Sequence, residues 1–298
     1  MCVLTQLLTV GGLSYCPEVT NFGAVPRLPR LPDLLTTANL CCGVLSILLA
    51  SQGQLTIACG LIFLAAVFDV FDGLAARAMG GGTPLGAQLD SLADMVSFGV
   101  APGMFVFQLL GLEGLTHGTS FHLSEIHIAG EGRIGCDGVF CDPDWLIWLG
   151  ALWIPICSAW RLAKFNTDSR QTTGFLGLAT PSNALFWASL PVIFNHVAIR
   201  TGPGHEFLLG LLYRTFFNHA AVLAVALLLG LLMLSELPLP SLKFKHFRWK
   251  GNEVIYCLLG IGLVLVLLYG ILAVPLILVI YLLSPLWGKL FRQETRSK

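Results

Sequence analysis

Eight stretches of this sequence are long and apolar enough to cross a lipid bilayer, and they decide what the chain can fold into. They run roughly over 34–52, 55–78, 87–111, 145–164, 179–199, 216–236, 253–270 and 272–288. A helix needs about 20 apolar residues to span the hydrocarbon. Inside lipid each backbone N–H and C=O must find a partner within the protein, which a helix supplies by itself. The chain is 55% hydrophobic and 11% charged, whereas a soluble domain averages about 25% charged residues. The expectation is an all-α, polytopic transmembrane bundle of about eight spans, with membrane lipids as its solvent. The last two spans come from one continuous apolar run, divided near Gly270 and Pro275.

The polar remainder gives the boundaries. Residues 1–31 hold Pro17, Pro26 and Pro29 and read as a peripheral lead-in. Residues 32–236 form a membrane core, 237–252 a basic loop, 253–288 a C-terminal hairpin and 289–298 a basic tail. With both termini cytoplasmic and strict alternation, 14 of the 17 Lys and Arg residues fall on the cytoplasmic side. Only Arg133, Arg200 and Arg214 fall outside. That asymmetry is the positive-inside pattern; it predicts a multi-pass protein of the inner, cytoplasmic membrane. Formal net charge is zero, which gives no support to binding nucleic acid or another polyanion.

Nine cysteines are present and none forms a CxxC, so a zinc site is not expected. Cys136 and Cys141 lie together in the outer loop 112–144. They could pair or remain two thiols. The histidines and acids of that loop are irregularly spaced and read as a solvated surface rather than a metal site.

Against this apolar background, residues 68–99 place four aspartates within two helical segments. Asp69 and Asp72 are spaced i, i+3, and Asp90 and Asp94 are spaced i, i+4. Either spacing puts two carboxylates on one helix face. Between them Gly80, Gly81, Gly82, Thr83 and Pro84 read as a turn. Counting from the turn at about 1.5 Å per residue puts all four acids roughly 6–12 Å from the cytoplasmic helix ends. Carboxylates at that depth repel one another and are costly to bury, about 2.5–3.5 kcal/mol each at a helix centre. Bound divalent cations would offset both costs. Hard oxygen ligands suit Mg²⁺, Mn²⁺ or Ca²⁺, and magnesium commonly completes its shell with substrate phosphates. Gly73 and Ala76 leave room for a flat group beside the acids, and Arg77 offers a cation to a phosphate. Together these features suggest a nucleotide diphosphate substrate. A divalent-cation transporter is the competing reading, since intramembrane acids also line ion paths.

The pattern Asp69-x2-Asp72-Gly73-x2-Ala76-Arg77-x8-Gly86-x3-Asp90-x3-Asp94 resembles the signature of the CDP-alcohol phosphatidyltransferases at every fixed position. The resemblance implies a six-helix core, a homodimer and two divalent ions, Mg²⁺ or Mn²⁺. It implies Asp69, Asp72, Asp90 and Asp94 as metal ligands, with Asp94 also the catalytic general base. Gly73, Ala76 and Arg77 would bind the nucleotide.

Segments outside the motif resemble the phosphatidylserine synthase branch, implying CDP-diacylglycerol and L-serine as substrates. They are Pro32 to Gly43, Ser91 to Pro102, Arg161-Leu-Ala-Lys164-Phe-Asn166, and Phe175-Leu-Gly177-Leu-Ala-Thr180-Pro181. Ala179 stands where that branch has proline, and Lys164 where it has arginine. Arg161 and Asn166 are the expected acceptor-binding residues, because an arginine fork suits a carboxylate. Both could instead be interfacial anchors. Thr36 and Asn39 are expected to reach cytidine or phosphate, or else to make a hydrogen bond between helices.

Overall fold

In the computed structural model the described residues are 30–111, 144–167, 175–195, 203–216, 218–239 and 253–294. Apart from turns and short connections they are helical, with one short pairing of extended backbone. The helices are α1 (Leu31–Ser51), α2 (Leu55–Ala78), α3 (Pro84–Asp94), α4 (Ala101–Gly111) and α5 (Asp144–Thr167), then α6 (Thr180–Asn195), α7 (Pro203–Phe216), α8 (His219–Leu234), α9 (Glu253–Tyr269) and α10 (Ala273–Glu294). A π-helical segment, Met95–Val100, joins α3 to α4 without a break. The strands β1 (Phe175–Leu176) and β2 (Pro238–Leu239) pair antiparallel, Phe175 opposite Leu239. The expected all-α class is therefore what the chain adopts. Cys136 and Cys141, whether paired or two thiols, most of the lead-in, most of the basic loop and the last four residues lie outside the described residues.

Among the described residues, four helical stretches are long and apolar enough to cross a membrane: Leu31–Ser51, Leu55–Ala78, Pro84–Leu110 and Ile255–Pro285. A fifth is reached if α7 and α8, which meet at 91°, count as one broken span. The run Ile255–Pro285 is not straight. A Cβ on Gly262 would lie 3.8 Å from Cδ1 of Ile277. Fifteen residues of straight helix would hold those positions about 22 Å apart, so the chain doubles back. It does so at the 3₁₀ turn Gly270–Leu272, where Gly270 takes φ +58°, a conformation glycine adopts without penalty.

The core is apolar and lies between α1, α4, α5 and α6. Phe98, Phe105, Ile154, Trp187 and Leu190 are all fully buried there. Small residues let the helices close on one another. A Cβ on Gly103 would come within 2.7 Å of Ala151 O, and one on Gly43 within 2.8 Å of the Ser97 backbone. These contacts seat α5 against α4 and α1 against the π-helical segment. The outside is as apolar as the inside: Leu92 is 64% exposed and Leu267 68%. In water such a surface would aggregate; in lipid it is the expected exterior, and the chain is an integral membrane protein.

One helix was not expected. Residues 203–216 read as part of an outer connection, yet they form α7. Pro203 opens it at the position where a missing N–H costs nothing. Leu212 and Phe216, one turn apart, are buried.

Candidate active site

The turn before the second acid pair follows from its residues. Gly80 and Gly81 take φ +88° and +115°, and the Gly81 N–H donates to Ala76 O at 2.9 Å, closing the end of α2. Thr83 then caps α3, its Oγ1 accepting from the Gly86 N–H at 2.9 Å, with Pro84 in the first turn. Across the gap the carboxylate of Asp33, near the start of α1, stands so close that a Cβ on Gly86 would fall 2.9 Å from its Oδ1. Glycine at 86 therefore lets α3 sit down on α1.

Helices α2 and α3 both pack extensively on α1 and only sparsely on each other. The four aspartates project into the resulting cleft. One carboxylate oxygen from each of Asp69, Asp72 and Asp90 can be chosen so that all three lie within 4.8 Å of one another. Asp72 is buried, and Asp90 Oδ1 is buried with no hydrogen-bond partner. Three hard acceptors converging around an unpartnered oxygen fit a divalent cation of the Mg²⁺ type. Asp94 does not join that cluster, although it faces Asp69, Asp90 and Asp72 electrostatically.

Helix α1 supplies partners to two of the acids. Thr36 and Asn39, 3% and 0% exposed, lie one turn apart on the same face. Thr36 Oγ1 donates to Asp72 Oδ2 at 2.8 Å and is also 3.0 Å from Pro32 O. It carries one proton, and the carboxylate is the stronger acceptor. Asn39 Nδ2 donates to Asp94 Oδ1 at 3.2 Å, while Asn39 Oδ1 is buried without a partner. Of the two expectations for these residues, the hydrogen bond between helices is the one the structure displays. That they would land on the aspartates was not legible beforehand.

On α2, Gly73 has open space where a side chain would go, so no protein packing demands glycine there. Arg77 is exposed at the mouth, its Nε donating to Gly73 O at 2.9 Å. Ala76 lies between them on the helix.

Arg161 and Asn166 separate. Arg161, near the end of α5, is 8% exposed. Its Nη1 donates to Thr180 Oγ1 at 2.8 Å, and its Nε is buried without a partner. It interacts electrostatically with Asp94 and with Tyr281 of α10. Asn166 is exposed, its Nδ2 donating to Ser91 Oγ at 2.9 Å, next to Asp90 at the rim. Lys164 points away into a surface pair with Glu236 at 3.0 Å. Sequence reasoning named Thr180 only within a resembling segment, without a site role, and missed Tyr281. Neither carries a charge that marks it in an apolar stretch.

The segment carrying Thr180 is tied down by backbone. The Gly177 N–H donates to Leu237 O at 2.9 Å and the Leu178 N–H to Leu232 O at 3.0 Å. These bonds satisfy carbonyls at and beyond the end of α8 that no longer have helical donors.

Comparison with known proteins agrees with this arrangement. The sequence profile of the CDP-alcohol phosphatidyltransferases matches residues 30–281. A CDP-diacylglycerol–serine O-phosphatidyltransferase of Helicobacter pylori (strain J99) is 28% identical over 237 residues, covering 79% of this chain and 81% of its own. One of Methanocaldococcus jannaschii is 28% identical over 253 residues, covering 83% and 94%. An archaetidylserine synthase of Methanothermobacter thermautotrophicus is 31% identical over 193 residues, covering 61% and 67%. A profile match that takes in all four aspartates, the α1 donors and Arg161 leaves one conclusion: the chain belongs to the CDP-alcohol phosphatidyltransferase family.

Proposed function

We propose that the protein transfers the phosphatidyl group of CDP-diacylglycerol to the hydroxyl of L-serine, giving phosphatidylserine and CMP. The observation that carries this reading is the cluster of Asp69, Asp72 and Asp90 with Asp94 set apart beside a buried arginine. The names of the similar enzymes support serine as the acceptor.

Asp69, Asp72 and Asp90, with Asp94 at their edge, would hold two divalent ions, Mg²⁺ or Mn²⁺. When bound, these ions offset charge on the diphosphate and on the departing CMP. The open space at Gly73, continued by Ala76, accommodates the cytidine, and Arg77 meets the phosphates. Thr36 and Asn39 act on the site from α1 through Asp72 and Asp94. Asp94 takes the proton from the serine hydroxyl as its oxygen attacks the β-phosphorus. A new O–P bond forms there. The bond from that phosphorus to the bridging oxygen breaks, and its electron pair leaves with CMP. Arg161 directs its free Nε toward the serine carboxylate. Asn166 meets the acceptor at the rim.

Around this site residues 32–236 form the membrane core and 253–288 an added transmembrane hairpin. The chain has eight spans and cytoplasmic termini, and it pairs as a homodimer. The site then opens to the cytoplasm, where serine is available.

The test is CMP release by purified protein given CDP-diacylglycerol, Mn²⁺ or Mg²⁺ and a panel of alcohols. Serine should react and phosphatidylserine should form. Reaction with glycerol 3-phosphate or an inositol phosphate but not serine would assign a sister activity. Metal flux into liposomes with no CMP release would point to transport instead.

A further inference from the structure

Arg161 is 8% exposed and only partly satisfied. Its Nη1 is taken by Thr180, and its Nε is buried without a partner. Among the described residues no carboxylate forms an ion pair with it. A buried cation in that state is costly until an anion arrives. We propose that Tyr281, carried in by the C-terminal hairpin, is the second donor for that anion: its phenol and the Nε edge of Arg161 together receive the carboxylate of the acceptor. This inference deepens the serine reading and rests on it.

The placement of Tyr281 on α10 is the first support. Between Ala273 and Pro285 the only polar side chains are Tyr281 and Ser284. Ser284 turns its hydroxyl back on its own helix, Oγ donating to Tyr281 O at 2.6 Å. Leu278 and Ser284, three residues to either side of Tyr281, are 6% and 1% exposed. Residues spaced by three share a helix face, so Tyr281 lies on the face that α10 turns to the protein, and its ring packs against the core. A tyrosine that merely anchored the helix in the lipid interface would stand on the other face.

The second support is what that face meets. Helix α10 packs on α6 and on β2, whose partner strand β1 leads to Thr180. Tyr281 lies about 12 Å along α10 from its start at Ala273, and there it interacts electrostatically with Arg161. Three elements far apart in the chain thus converge on one guanidinium: α5 supplies it, the start of α6 holds one nitrogen, and α10 brings a phenol beside it. A carboxylate has two oxygens to satisfy. A phenol both donates and accepts, so it can face the guanidinium with its oxygen and give its proton to the carboxylate. The fold-back at Gly270 is what returns the chain to this corner, which makes the hairpin a specificity element of the site.

The experiment is steady-state kinetics of CMP release by the full-length protein in detergent, comparing the wild type, Tyr281→Phe, Arg161→Lys and the double variant. Tyr281→Phe keeps the ring, so its melting temperature should stay near that of the wild type. Its KM for serine should rise about tenfold or more, as expected for losing a hydrogen bond to a charged group, while the KM for CDP-diacylglycerol stays unmoved. Because both side chains hold one carboxylate, the double variant should raise the serine KM by clearly less than the product of the two single effects. A wild-type KM for serine in Tyr281→Phe, an equal rise in the KM of both substrates, or single effects that simply multiply would overturn the role of Tyr281. Wild-type protein that releases no CMP with serine would overturn the serine reading and this inference with it, a failure visible without any variant.

Discussion

Each residue at the site can be asked whether packing or chemistry requires it. Gly73 is the cleanest case. A side chain there would touch nothing, so Gly73→Ala should melt within about 0.5 kcal/mol of the wild type, apart from a small helix-propensity gain. Its effect should appear as a raised KM for CDP-diacylglycerol. Unchanged kinetics would mean that the cytidine lies elsewhere. Asp94→Asn keeps the shape and would remove the proposed proton acceptor. Turnover should fall by about 10²–10⁴-fold while CDP-lipid binding, measured by calorimetry, persists. Arg161→Lys retains the charge and loses the fork. It should raise the KM for serine about tenfold or more through loss of a charge-assisted hydrogen bond, with the KM for the lipid unmoved. Lysine cannot reproduce a planar donor set that reaches Thr180 with one nitrogen and leaves another free.

Among the elements, the short stretch Gly177–Leu178 has a larger structural share than its length suggests. Gly177 takes φ +74°, and a Cβ there would fall 2.5 Å from Ser235 O. Gly177→Ala should therefore cost about 1–3 kcal/mol, read as a lowered melting temperature in detergent. Because the stretch leads directly to Thr180, the partner of Arg161, the KM for serine should rise as well. A variant that melts and binds serine like the wild type would show that this tether does not position the acceptor side. The sequence made the helical class and the four longest apolar helices legible because a long apolar run between polar ends has one solution in lipid. It made the acid pairs legible because helical spacing decides which side chains share a face. It did not announce α7, since Gly202, Pro203 and Gly204 read as loop punctuation although a proline can equally open a helix. Nor could it show that α2 and α3 splay across α1 instead of closing as a tight hairpin. That depends on the Asp33–Gly86 approach, which joins positions far apart in the chain.

For the whole molecule, the charge distribution predicts in testable form which way the cleft faces. The acids lie toward the Arg77 end of α2, and that end shares a side with Arg161 and Lys164 at the end of α5 and with the basic tail, if spans alternate. Moving that many cations to the outer face opposes the insertion bias that orients membrane proteins. The fold-back at Gly270 matters to this count. Treated as one crossing, Ile255–Pro285 would send the tail containing Arg292 and Lys298 to the opposite side from Arg161. Doubled back, it would return the end of α10 to the same side, if spans alternate. A fluorescent protein that matures only in the cytoplasm, fused after Lys298, should therefore fluoresce, and one fused before Met1 should do the same. An alkaline phosphatase inserted in the loop 112–144 should be active, because it would lie outside. A dark C-terminal fusion with a bright N-terminal one would mean an odd number of crossings, with the C-terminal arms the first to reconsider. Two dark fusions would invert the protein and put the aspartate cleft on the side of the membrane where cytoplasmic serine cannot reach it.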